Sequence, residues 1–261
     1  MSPSVSTIKK SRWIIFGILL FTLFALTRVP AEWGAWLLTR QPGLAMSGIS
    51  GSLWKGQANV ASLSVEGKTY TLGKLQWDLQ LMSLLKLAPC IKLNIAGQTQ
   101  SFNGSVCRLR SGAIALEDAD VVMLASLAQS KIPVPVSGNI SAHFSELQLD
   151  GNVLLKLAGN LNWTNAQASN DVQWIPLGSF AAEFTDDGKN GIKAKIFDLE
   201  SDVDLTLDLE LRAPSGGTAK GTLDMPQTMI DRYKLADFLA FIGPQSASEN
   251  GKIRYQVQQE F

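Results

Sequence analysis

His143 is the only histidine, and it sits in the run Ile140-Ser141-Ala142-His143-Phe144-Ser145-Glu146-Leu147, where polar and apolar residues alternate. As a general base it would need a nucleophile placed beside it. No Gly-x-Ser-x-Gly elbow is present to supply one. The two cysteines, Cys90 and Cys107, add too few soft ligands for a metal centre of the His/Cys type. Short acidic clusters at Asp118-Ala119-Asp120 and Asp186-Asp187, expected in loops, offer carboxylates for acid–base work, but their spacing selects no reaction. Asp202, Asp204, Asp208 and Glu210 follow one another along an extended stretch. On a strand such carboxylates spread apart rather than converge, and no calcium-loop pattern surrounds them, so they read as a solvated face. Neither a phosphate-binding GxxxxGK[ST] loop nor a GxGxxG turn occurs. No catalytic, cofactor-binding or metal-ligating residue is therefore assigned, and the chain is read as a non-enzyme without a cofactor. With 23 basic and 23 acidic residues it carries no net charge, so nucleic acid is not an expected partner.

The remaining chemistry is the pairing of the cysteines. Cys90 opens Cys-Ile-Lys-Leu-Asn-Ile and Cys107 lies in Gly-Ser-Val-Cys-Arg-Leu, with a turn-like Gly-Gln-Thr-Gln-Ser-Phe-Asn-Gly between them. A hairpin folded about its middle puts 90 opposite 107, where a cross-strand disulfide fits at a non-hydrogen-bonded position. The alternative is two small buried thiols; a CxxC redox pair is absent. Trp54, Trp77, Trp163 and Trp174 are read as large core anchors, with a stacking platform for sugar or lipid as the alternative.

A disulfide needs an oxidising compartment, and the amino terminus provides for export. Lys9, Lys10 and Arg12 precede a charge-free run from Trp13 to Thr27, then Arg28, Trp33 and Trp36. A membrane helix needs roughly 20 apolar residues. Snorkelling of Arg28 extends the usable span to Trp33, and the tryptophans suit the interface. The basic flank makes residues 1–12 a cytoplasmic tail, 13–33 an inner-membrane anchor and 34–261 an exported, periplasmic domain. A cleaved signal peptide, with Val29-Pro30-Ala31 at the cleavage site, is the competing reading.

From residue 44 onward glycine followed two places later by an apolar residue recurs at irregular intervals, as at Gly104-Ser105-Val106 and Gly138-Asn139-Ile140. This predicts a mainly β, curved antiparallel meander. Val203, Leu205, Leu207, Leu209 and Leu211 alternate with polar residues from Asp202 to Arg212, which marks the clearest strand. Further strands are expected at 58–65, 69–81, 140–149, 153–163, 180–184 and 192–197. Pro133 and Pro135 suggest a sub-lobe boundary near 131–138. Met82 to Leu87 reads as a short helical stretch, and Asp118 to Gln129 is ambiguous. An amphipathic helix is expected from Gln227 to Ile242, capped by Asp224, started near Pro226, stopped by Gly243-Pro244 and packed on the sheet.

Two motifs in this order carry a family resemblance. Gly51-Ser52-Leu53-Trp54-Lys55-Gly56 follows the anchor, and Leu75-Gln76-Trp77-Asp78-Leu79 with Leu84-Leu85 follows one strand later. The arrangement resembles protein N of the type II secretion system, also called general secretion pathway protein N, over nearly the whole chain. The resemblance implies an accessory, non-enzymatic inner-membrane component of the machine that exports folded proteins across the outer membrane, with other inner-membrane components as partners. Gly51, Leu53, Trp54, Gly56 and Trp77 would then shape the sheet near the membrane. The glycine-rich meander also resembles AsmA-like proteins, which implies an apolar β-groove that binds or moves lipid in the envelope.

Overall fold

The computed structural model describes residues 6–260 except 41–42, 66, 86, 132–133, 152, 171, 189–190, 213–215 and 248–250. Residues 1–5 of the expected tail, and 132–133 of the expected boundary, lie outside the described residues.

Two helices come first, α1 (Ser6–Thr27) and α2 (Ala31–Leu38). They are separated at Pro30, which pairs with Ser52 instead of continuing the helix. A proline and the residue before it both resist interior helical geometry. The span expected as one anchor, 13–33, is thus two helical pieces. Among the described residues no helix is long and apolar enough to cross a membrane.

The strands are β1 (Leu44–Gly51), β2 (Lys55–Val65), β3 (Lys68–Gln80), β4 (Cys90–Ala96), β5 (Ser101–Arg108), β6 (Ile114–Leu124) and β7 (Val136–Asp150). They continue with β8 (Val153–Ser169), β9 (Trp174–Asp186), β10 (Gly191–Glu200), β11 (Asp204–Arg212), β12 (Gly217–Pro226), β13 (Gln245–Ala247) and β14 (Lys252–Glu260). A short helix, α3 (Leu81–Leu85), joins β3 to β4, and α4 (Gln227–Tyr233) and α5 (Ala236–Ala240) follow β12. Among the described residues these 14 strands form one open antiparallel sheet in chain order, except that β14 lies between β12 and β13. The fold is mainly β, as the glycine-punctuated alternation predicts.

The register makes the sheet two-faced. One row of cross-strand partners runs from Ile49 and Ala58 through Leu75, Ile95, Phe102, Val121, Ala142, Leu161, Ala182, Ile196 and Leu207 to Gly221 and Val257. The neighbouring row, on the other face, runs from Ser50 and Gln57 through Gln76, Asn94, Asn103, Asp120, His143, Asn160, Glu183, Lys195, Asp208 and Lys220 to Gln258. Period-two alternation stays in phase across the sheet because bulges absorb the misfits, for instance where Asn103 and Ser105 face β6 and Asp118 takes φ +47°.

Among the described residues the larger helical contacts with this sheet are at its two ends. α2 packs on β1 and β2, burying Ala31 and Ala35. At the far end Met229, Ile230, Leu235 and Leu239 pack with Ile175, Val203, Met225 and Tyr255 as a small core. Elsewhere Leu157, Phe180 and Ile192 are buried, but other large apolar residues of the sheet, such as Leu93, Phe102, Leu161 and Leu207, are only half-buried. The accessible surface is 17260 Å². A compact protein of 28.3 kDa would expose only about 11,000 Å². The molecule is a single layer rather than a sandwich around a core.

Several expectations change. The helix expected at 227–242 is two helices, broken where Lys234 adopts φ +54°. Asp224 does not cap it: Pro226 is the N-cap without a side-chain bond, and Asp224 lies in β12, paired to Arg254 of β14. The ambiguous 118–129 segment is the end of β6 followed by a 3-10 helix, Ala125–Lys131. Asp118 to Asp120 therefore lie in a strand and not a loop, and Asp186 ends β9.

Candidate functional site

The residues of the Gly51–Gly56 motif converge where the amino-terminal helices meet the sheet. Gly51 ends β1, Lys55 begins β2, and the turn between them is closed by the Ser52 amide donating to the Lys55 carbonyl at 2.9 Å. Gly51 has φ +96°, and a Cβ there would lie 2.6 Å from the Lys55 carbonyl oxygen. Only glycine fits that conformation without strain. Gly56 pairs with Trp77 of β3, and a Cβ on Gly56 would run into the indole ring.

The turn then grips the helices. The Leu53 amide donates to the Val29 carbonyl at 2.9 Å, and the Trp54 indole Nε1 donates to the Leu26 carbonyl at 2.7 Å. The last carbonyls of a helix have no helical i+4 partner, so the Trp54 bond caps the end of α1, while the Leu53 bond holds the link that follows it. Trp54 is tied in turn to β3, because its own carbonyl accepts the Leu79 amide at 2.6 Å. Trp77 Nε1 donates to the Leu53 carbonyl at 3.1 Å. The side chain of Leu53 rests against Gly34 of α2. Five motif residues thus form one clamp, and each has a distinct part in it.

The tryptophans are not core anchors. Trp54, Trp77 and Trp163 are half-buried, and Trp174 is 49% exposed. Their indole N–H groups were missed by reasoning from apolar bulk: Trp163 Nε1 donates to the Ser137 carbonyl at 3.0 Å, as Trp54 and Trp77 donate at the clamp. Large rings on an uncovered sheet stay partly wet, and a polar handle is what fixes them.

On the polar face beside the clamp, Ser50, Gln57, Gln76, Asn94 and Asn103 line a groove of about 480 Å³ with Lys55, Asp78 and Lys92 at its border. Lys55 and Asp78 approach to 3.1 Å with both side chains exposed, a pairing that contributes about 0–1 kcal/mol in water.

The other sequence-marked residues lie outside the clamp. Cys90 faces Cys107 across β4 and β5, and their sulfurs are bonded at 2.05 Å. The Arg108 amide donates to the Pro89 carbonyl at 2.9 Å, which makes the adjacent 90/107 pair a non-hydrogen-bonded one. His143 sits in the polar row with Nδ1 2.8 Å from the Asp120 carboxylate, and both are substantially exposed. That pair is one rung of a cross-strand ladder. Asp187 Oδ1 accepts the Gly191 amide at 2.8 Å and so closes a turn. Among the described residues no group of His, Cys, Asp and Glu is placed to hold a metal ion.

One partly buried ionic contact escaped sequence reasoning. Arg254 donates through Nε and a terminal nitrogen to the two carboxylate oxygens of Asp224, at 2.8 and 2.6 Å. These bonds hold the Asp224 carboxyl below the usual carboxylate range, against the opposing effect of burial and with help from the charges of Arg254 and Lys252.

The family model for type II secretion system (T2SS) protein N matches residues 42–255, from just before β1 into β14. A type II secretion system protein N of Aeromonas hydrophila is 27% identical over 240 residues, covering 89% of this chain and 92% of that protein. A type II secretion system protein N of Vibrio cholerae serotype O1 is 26% identical over 183 residues, covering 67% of this chain and 71% of that protein. No solved structure matches the chain.

Proposed function

The chain belongs to the type II secretion system protein N family, and from that premise we propose that it is an accessory component of the type II secretion machinery with a scaffold role. In this reading residues 1–12 are a cytoplasmic tail, 13–33 anchor the chain in the inner membrane, and 34–261 stand in the periplasm. Tethering confines the sheet to the layer beside the membrane and raises its effective concentration for other membrane components.

The clamp between α1 and the sheet carries the proposal. A tether through a loose linker would leave the sheet free to tumble. Here Leu26, Val29, Leu53, Trp54 and Trp77 join the helix end to the first strands by hydrogen bonds, so an anchored helix would fix the orientation of the sheet. Trp13, Ile14, Ile15, Ile18, Leu19 and Phe21 of α1 are all exposed, as a helix meeting lipid requires.

A second reading rests on the uncovered apolar row from Ala58 to Val257, along which an acyl chain could lie as in a lipid-handling groove of AsmA-like type. Crosslinking in intact membranes, followed by mass spectrometry of both proteins and lipids, separates the two. Enrichment of type II secretion components without excess lipid supports the scaffold. Enrichment of phospholipid or lipopolysaccharide with no secretion proteins rejects it in favour of the groove.

A further inference from the structure

The clamp does more than hold α1: it brings a second apolar surface to the same end of the sheet. The Trp54 indole is bonded to Leu26 of α1, and the Trp54 carbonyl is bonded to Leu79 at the end of β3. α3 begins two residues beyond Leu79. Leu81, Met82 and Leu87, in and just after α3, are 52%, 73% and 73% exposed. Trp33 and Trp36 of α2, which packs on β1 and β2, are 72% and 58% exposed. Exposed apolar side chains therefore stand on α1, α2 and α3, the three helices that the clamp gathers at this end of the strands.

The α3–β4–β5 stretch is basic, although exposed Glu32 of α2, Asp78 and Asp150 lie at the same end. From Leu79 to Leu116 the chain has no Asp or Glu and four basic residues, Lys86, Lys92, Arg108 and Arg110, although the whole chain has net charge zero. Arg108 and Arg110 are exposed. They flank Leu109 at the turn closed by the Gly112 amide on the Leu109 carbonyl. The Arg108 amide is bonded to Pro89, just past α3, and the Cys90–Cys107 disulfide crosses one residue further in. The turn and α3 are thus pinned at one level.

We infer that α3 and the 108–112 turn form a second contact with the lipid bilayer, an anionic-lipid-binding surface that lays the near end of the sheet on the membrane beside α1. This rests on the reading of α1 as an anchor. Exposed Leu and Met set beside cationic side chains is the composition that enters the headgroup region of an anionic bilayer, where each Lys or Arg adds attraction. A bilayer crossed by α1 is the partner that the clamp already holds beside α3, through the Leu26–Trp54–Leu79 hydrogen bonds.

The test uses the full oxidised chain, whose own cysteines are paired, with one added cysteine carrying a fluorophore. Met82→Cys reports on α3. Phe241→Cys reports on α5, past the opposite ends of the strands, and is 84% exposed in the native chain. Both are reconstituted into phosphatidylcholine vesicles with or without phosphatidylglycerol, containing nitroxide lipids, and the vesicles are floated. The expected result is flotation of both, strong quenching at 82, more in phosphatidylglycerol, and quenching at 241 no higher than without nitroxide. Arg108→Gln should remove the phosphatidylglycerol-dependent part of the quenching at 82. A chain that floats while 82 is quenched no more than 241 overturns this inference and leaves the anchor standing. Position 82 shielded from lipid and aqueous quenchers alike means that a second protein copy covers α3, which also overturns it. A chain that does not float overturns the anchor, and this inference with it.

Discussion

Single side chains at the clamp act through sterics and one hydrogen bond each, so their replacement has readable signs. Gly56→Val drives its side chain into the Trp77 ring and should cost about 1–3 kcal/mol, seen as a lowered denaturation midpoint. Trp54→Phe keeps most of the ring and removes the donor to Leu26. It should cost about 1 kcal/mol and speed amide exchange at the end of α1 and in residues 52–54, with little change beyond β4. Asp224 gives a pH signature. Its folded-state pKa is lowered chiefly by the Arg254 hydrogen bonds, so the contribution is fully present above the ordinary value of 3.8 and is lost as pH falls through the lowered one. Arg254→Met should flatten the decline of stability below about pH 4 and cost about 2 kcal/mol at neutral pH. A variant whose stability falls with acid as steeply as the parent would refute that assignment. The sequence shows which residues are unusual, Gly-x-Leu-Trp-x-Gly above all, because glycine and tryptophan have few substitutes. It is silent on Asp224 and Arg254, since 29 residues intervene and only the insertion of β14 beside β12 makes them neighbours.

At the scale of elements, the hairpin β4–β5 and the helices after β12 behave differently. The hairpin is local: 17 positions separate its cysteines, and alternation with a glycine-rich turn sets its register in advance. Closing a loop of this size contributes about 3 kcal/mol in the chain-entropy model. Cys90→Ser with Cys107→Ser should lower stability by that order, and a reductant should affect the parent but leave this variant unchanged. Calorimetry with and without reductant checks both. Strand interiors at 140–149, 153–163, 180–184, 192–197 and 204–212 were legible because the period-two pattern is strong there. The helix at 227–242 was legible in type and not in continuity. Its apolar stripe suits one helix, but packing on Ile175, Val203 and Tyr255 favours two short ones turned at Lys234. Tertiary packing routinely outweighs a local pattern of that length.

Among the described residues the molecule is a row of strands in which most contacts are between neighbours, closed by a small core at the α4–α5 end. Such quasi-one-dimensional stability does not enforce one cooperative transition. Denaturant unfolding should therefore show more than one step. Amides of β12, α4 and β14 around the Met225–Leu239–Tyr255 core should exchange last, and those of β1 to β3 earlier, as hydrogen-exchange mass spectrometry would resolve. A single transition with uniform protection would count against this picture. The same architecture accounts for the excess of accessible surface, since one layer cannot hide its apolar row as two packed layers do.

The sequence alone determined the mainly β class, the strand interiors, the facing of Cys90 and Cys107 along a hairpin, and the resemblance to the secretion protein N family, because each depends on residues close in the chain or on a short ordered motif. Only the tertiary structure decided that the sheet is one open layer, that Trp54, Trp77 and Trp163 are hydrogen-bonded struts and not core, and that Trp54 joins α1 to β3. Alternation tells which residues share a face but not whether another layer covers it. That depends on how far the strands extend before closing, a property of the accumulated twist and bulges of all 14 strands and of no single segment.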